Sequence, residues 1–204
     1  MLNDKKRWYL IALILPAASC VASEISSGVD EETKLPYWQV HDDKMSLRLV
    51  QRLPMQTRGY FLARGFNRQQ VEQIAKSCVF QTVFKNISNT TSSPAALTYN
   101  LNDWQVVYHG ERHSPKTRED WAKQWQQAGV AKPVQLAFEW SLYPTQQVYQ
   151  PGDYNWGMTT FALPPGSVFD LRVSWDQSGK HHQATIQGIK CMEDLNLQPG
   201  DLPP

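Results

Sequence analysis

The sequence predicts a mainly β chain: a single antiparallel β-sandwich-like domain with two short helices, an immunoglobulin-like sandwich being one form it could take. Three observations lead there. Segments rich in β-branched and aromatic residues recur along the 204 residues. The 13 Pro and 11 Gly fall mostly between those segments, where turn residues belong. Cys78 and Cys191 stand near the two ends of the strand-bearing region, placed to close it with a disulfide.

Taken in order, Met45-Ser46-Leu47-Arg48-Leu49 alternates and predicts a first strand. Gly59 to Gly65 is a short apolar run between glycines and reads as a second. Asn67, with Gln70 three residues on, forms a capping-box pattern, and Val71, Ile74, Ala75 and Cys78 follow at helical spacing. Cys78 to Ile87 is dense in β-formers and predicts a central strand, and Trp104 to His109 predicts another. Ser114-Pro115 or Thr117 starts a second helix over Arg118–Ala128, with Gly129 as its stop and Trp121, Ala122 and Trp125 as its apolar face.

The clearest alternation comes next: Val134, Leu136, Phe138, Trp140 and Leu142 against Gln135, Ala137, Glu139, Ser141 and Tyr143, the pattern of a strand with one buried face. Phe169, Leu171, Val173 and Trp175 alternate in the same way. Asp176-Gln177-Ser178-Gly179 turns the chain, and His182 to Cys191 returns as the other half of a hairpin. About seven strands punctuated by turns make a sandwich the natural class.

The ends carry a different message. Met1 to Arg7 is charged, Trp8 to Leu15 is apolar, and Pro16 to Ala22 is a run of small residues. An apolar run this far short of the ~20 residues that a bilayer requires predicts a secretory signal over 1–19, not a spanning helix. Ala17-Ala18-Ser19-Cys20 resembles a lipoprotein box, with Ala17 where Leu usually stands. That resemblance implies an acylated Cys20 and a membrane lipid anchor; the other reading is ordinary cleavage after Ser19 or Ala22, leaving a soluble protein. Either way the expected address is the bacterial cell envelope, in the periplasm. Residues 20–44 are polar and acidic and predict a flexible tether, 45–195 the folded domain, and 196–204 a loose Pro-rich tail.

Composition excludes some classes of partner. Removing residues 1–19 takes away Lys5, Lys6, Arg7 and Asp4 and moves the formal charge from +1 to −1. A near-neutral chain with no basic run is not built to neutralise phosphates, so no nucleic acid is expected. Catalytic motifs are missing too: there is no nucleophile elbow, phosphate loop or zinc-protease helix. Glu139 and Asp170 fall on the polar faces of their predicted strands. No cofactor is called for.

Function is therefore sought in binding. Tyr143 to Met158 reads as a long connection rich in aromatics and amides, and Tyr149, Asp153, Tyr154, Asn155 and Trp156 are its candidate contact residues. They suit another envelope protein or assembly, or a carbohydrate if several of the rings lie exposed together. The alternative is a structured turn in which Trp156 covers the core. His109 and His113, with Glu111 between them, form a possible metal set. His181 and His182 could add imidazoles, and Met158 or Met192 a thioether for copper. Gly110 and Pro115 make that stretch a loop, a poor frame for the H-x-x-x-H spacing. Trp121 and Trp125 are expected in the core.

Overall fold

The computed structural model describes residues 23–92 and 94–195. The leader at 1–19, Cys20 and the tail at 196–204 lie outside the described residues. In chain order come β1 (Glu24–Val29), β2 (Pro36–His41), β3 (Met45–Gln51), α1 (Pro54–Leu62), α2 (Arg68–Ala75), β4 (Val79–Asn86), β5 (Leu97–Asn100), β6 (Gln105–Tyr108) and β7 (Glu111–His113). Then follow α3 (Arg118–Gln127), α4 (Lys132–Ser141), β8 (Gln146–Tyr149), β9 (Tyr154–Thr160), β10 (Val168–Gln177) and β11 (Lys180–Lys190).

The strands form two antiparallel sheets packed together. The first runs β1-β2-β3-β4-β9; the second runs β7-β6-β10-β5-β8, with β11 along the other edge of β10. β5 and β6 lie end to end on β10, separated by a 3-10 turn at Leu101–Asp103. The first sheet is a four-strand meander joined by one returning strand, and an immunoglobulin-like arrangement is not shown. Two hairpins use two-residue turns with positive φ at both positions, His109-Gly110 and Ser178-Gly179, matching the twist of the strands they join.

Two hydrophobic cores result. Between the sheets lie Leu47, Leu49, Phe80 and Phe84 from one side and Tyr99, Leu171, Val173 and Trp175 from the other. Against the outer face of the first sheet, one end is covered by helices: Phe61 of α1, Ile74 of α2, Trp121 and Trp125 of α3 and Phe138 of α4 pack on Val79 and Met158. Trp121 donates from its indole to Thr160 Oγ1 at 2.9 Å, tying α3 to β9. The Asn67–Gln70 and Thr117–Asp120 capping boxes start α2 and α3 where the sequence places them.

Several expectations are corrected. Gly59–Gly65 is not a strand: most of it belongs to α1, which starts at Pro54 in its first turn, a position where the missing N–H costs nothing. The alternating run at Val134–Leu142 is helix α4, with Pro133 at its start. Of its alternating apolar residues only Phe138 and the terminal Leu142 are buried, while Leu136 and Trp140 face solvent, Trp140 at 75% exposure. Among the described residues the α-helices are therefore four, not two. The supposed tether holds β1 and β2, paired in register from Glu24↔His41 to Val29↔Pro36. The long connection at Tyr143–Met158 contains β8 and most of β9.

Cys78 and Cys191 are bridged, with their Cα atoms 5.2 Å apart across a sequence separation of 113. The bond suggests an oxidising extracytoplasmic compartment. Among the described residues no helix is long and apolar enough to cross a membrane. Close by, Arg58 of α1 forks between two carboxylates, donating to Glu72 at 2.6 and 2.9 Å and to Asp194 at 2.8 and 2.6 Å. Those hydrogen bonds hold both carboxyls below their ordinary values of 4.5 and 3.8. The disulfide fastens the segment after β11 to the α2–β4 junction, and the clamp fastens it to α1 and α2.

Two outcomes follow from these fastenings. The paired variant Cys78→Ser/Cys191→Ser loses about 2–5 kcal/mol of stability to chemical denaturation, the range for a long closed loop; an unchanged midpoint would mean the bridge constrains little. The clamp acts in acid. Because the folded-state values of Glu72 and Asp194 are depressed, their contribution is full above about pH 5 and is lost as pH falls through those values. Thermal midpoints measured from pH 6 to pH 3 should therefore fall more steeply for the parent protein than for Arg58→Gln.

Candidate functional site

The aromatic segment separates into an inside and an outside. Tyr149, at the end of β8, is fully buried: its ring lies 5.0 Å from Phe84 and its hydroxyl 3.0 Å from that of Tyr143. Tyr99 stacks on Tyr143 at 5.2 Å, and burial drives the Tyr99, Tyr143 and Tyr149 phenols up, so the cluster is a neutral part of the core. Asp153 serves the turn before β9, accepting from the Gln150 N–H at 2.8 Å. Asn155 points inward, donates to Gln147 at 2.8 Å and accepts from the Trp156 N–H at 2.7 Å, so it fixes the backbone beneath Trp156. Tyr154 and Trp156 point the other way and stay in solvent, 65% and 63% exposed. Trp156 does not cover the core.

Register identifies their neighbours. Trp156 pairs with Val83, Val83 with Arg48, and Arg48 with Gln39; one step along, Tyr154 pairs with Lys85, Lys85 with Ser46, and Ser46 with His41. Directly opposite residues share a face, so these two rows cross the outer surface of the first sheet. The helices cover only the Val79–Thr160 end of it. The remainder is a groove of about 630 Å³, floored by Gln39, Ser46, Arg48, Gln81, Val83 and Lys85. The β1–β2 turn, through Asp30, Glu32, Thr33 and Leu35, walls one side, and Arg52 and Gln56 close another.

The charges in the groove are ordered. Arg48 lies on the Tyr37 ring at 3.8 Å and donates to Asp30 at 2.8 Å, which sets its guanidinium plane. Asp30 is held below its ordinary value, chiefly by the N–H and hydroxyl of Thr33, each at 2.9 Å, with Arg48 adding to the effect. Arg52 is lowered by burial and lies 5.6 Å from the Tyr60 ring. Lys85 reaches toward Tyr154, with Nζ 6.0 Å from its ring. Among the described residues neither Arg52 nor Lys85 has a carboxylate partner.

The metal candidates do not converge. His109 is the first residue of a hairpin turn and stacks on Tyr108, while His113 sits on β7 with Nδ1 2.9 Å from Ser114 O. His181 contacts Asp176 at 3.0 Å and His182 stacks on Trp175. Met158 is in the helical core, and Met192 lines a separate shallow cleft beside Cys191. No group of three or more His, Cys, Asp or Glu is placed to hold a metal among the described residues. Glu139 is exposed on α4, and Asp170 accepts the Gly188 N–H at 2.9 Å across the bulge of the β10–β11 hairpin. The lipid-attachment candidate, Cys20, lies outside the described residues.

Sequence reading missed Gln39, Arg48, Gln81 and Lys85. Their signal was present: each alternates with inward apolar residues on β2, β3 or β4, but only the register places them on the same face as Trp156. No family model matches this chain, and no curated protein or solved structure matches it.

β9 is held in place by a close approach. A Cβ on Gly157 would stand 2.6 Å from Tyr143 N and 2.7 Å from Tyr143 Cα. The chain leaving α4 passes the sheet edge here, and Tyr143 N–H donates to Met158 O at 2.8 Å. Gly157→Ala is expected to cost about 1–3 kcal/mol and to perturb Trp156; urea unfolding with tryptophan fluorescence measures both effects.

Proposed function

We propose that this protein is an exported binding domain of the bacterial cell envelope, non-enzymatic, working in the periplasm, and that it receives its partner on the open outer face of the five-stranded sheet. Trp156 carries the proposal: a tryptophan kept in solvent, on a fixed strand, at the rim of a polar groove, is a contact residue rather than a core one. Tyr154, Arg48 and Lys85 extend the same surface. The disulfide and the signal-like leader support export, and the Cys20 box keeps a lipid-anchored form beside a soluble one. For a copper-handling role the described residues offer no ligand set. The partner is an envelope component that an aromatic rim and an amide-and-guanidinium floor can hold together, with no cofactor involved.

A photo-crosslinking residue placed at Trp156 tests this in intact cells, with the same residue at exposed Glu111 of β7 as the control. The expected result is one discrete adduct from position 156, absent from position 111 and lost when Arg48→Glu is added. Equal labelling from both positions would sink the proposed face.

A further inference from the structure

We propose that the outer face of the five-stranded sheet binds an oligosaccharide carrying ring carboxylates, laid across the strands. The proposal rests on the reading of that face as the binding site and specifies the chemistry of what it holds.

A pyranose has two kinds of surface: an apolar C–H face and a rim of hydroxyls. The first needs a flat ring to lie on, and the second needs side chains that both donate and accept. Tyr154 and Trp156 supply the flat rings. They are two residues apart on β9, about 7 Å along the strand, and turned to the same side. Gln39 and Gln81 supply amides, each able to donate and accept at once. Arg48 adds a guanidinium already set by Tyr37 and Asp30, so little ordering is left for the ligand to impose.

Direction follows from register. The row Trp156–Val83–Arg48–Gln39 runs across four strands, about 14 Å at the usual inter-strand spacing. A chain of sugars along it stacks at the β9 end and hydrogen-bonds at the β2 end. A protein partner of similar footprint would ask for a continuous apolar centre. Here the only aliphatic residues lining the groove are Leu35, Val50 and Val83.

Charge selects the acid. Three cations line the groove against two carboxylates, and Asp30 is already taken by Arg48. Lys85 pairs across the strands with Tyr154 and has no carboxylate partner among the described residues. A sugar stacked on Tyr154 therefore presents a ring carboxylate to Lys85.

Calorimetric titration of the disulfide-intact domain tests this. The probes are oligogalacturonate and hyaluronan oligosaccharides, whose carboxylates stand on the pyranose ring, with cellohexaose and chitohexaose as neutral controls. At least one acidic probe is expected to bind more tightly than the neutral ones. Trp156→Ala should weaken it roughly tenfold, and Lys85→Gln should bring its affinity down to that of the neutral probes. Both side chains are exposed, and unchanged thermal midpoints would show that the variants fold. No binding of any probe at millimolar concentration would overturn the inference, and so would binding that survives Trp156→Ala. Equal affinity for acidic and neutral probes would overturn its acidic part. A discrete protein adduct from position 156, with no glycan bound, would leave the binding face standing and remove the sugar.

Discussion

β4 is the strand on which both cores depend. Its alternate residues feed different layers: Phe80 and Phe84 fill the space between the sheets, while Val79 on the opposite face packs under the helices. It is paired on both edges, with β3 and with β9. Even its last residue is committed, because the buried Asn86 side chain donates to Ala95 O at 2.7 Å and to Tyr149 O at 3.0 Å, closing the loop that leads to the second sheet. A strand paired on both edges, with one face in the core, fixes which face every neighbour presents, since a slip of one residue would exchange the two faces.

The open face is a consequence of that arrangement. The helices lie over the Val79 end of β4, where residues small or apolar enough to be covered occur on β4 and β9. At the other end the outward positions are Val83 and Lys85 on β4, then Trp156 and Tyr154 on β9. Between these two regions the chain leaves the helical layer at Leu142, crosses the β9 edge at Gly157 and enters the inter-sheet core at Tyr143. The crossing needs a residue without a side chain at that point. It also marks how far the helical cover extends along β9.

How far the sequence foretold this depended on burial. Elements with one buried and one solvated face were readable, as with β3, β10 and the capped helices α2 and α3, because alternation or a cap marks them directly. α4 misled because Val134, Leu136, Phe138, Trp140 and Leu142 keep a period of two on a helix that buries only one stripe. Phe138 faces inward there while Leu136 and Trp140 do not, and Pro133 was the signal that should have outweighed the alternation. β1 has no buried face: as an edge strand it is exposed on nearly every residue and so reads as a polar linker. In the site, Tyr154 and Trp156 announced themselves by residue type. Arg48 and Gln39 did not, because they join the tryptophan only through pairings between strands far apart in sequence.

The face is more prepared at one end than at the other, and that asymmetry bears on what it can recognise. Arg48 is held by a ring beneath it and a carboxylate beside it, and Asp30 is in turn held by Thr33. Trp156 has few rotatable bonds and a backbone braced by Asn155. Groups fixed in this way lose little freedom on binding, so they favour a ligand of matching shape over one of matching charge alone. Lys85 is different: it is exposed and long, and its ammonium stands 6.0 Å from the Tyr154 ring. It can follow an anion that arrives in more than one position. A rigid stacking and hydrogen-bonding frame with one adaptable cation at its rim suits a repeating ligand, whose units present the same face and whose acidic groups need not fall at one fixed point.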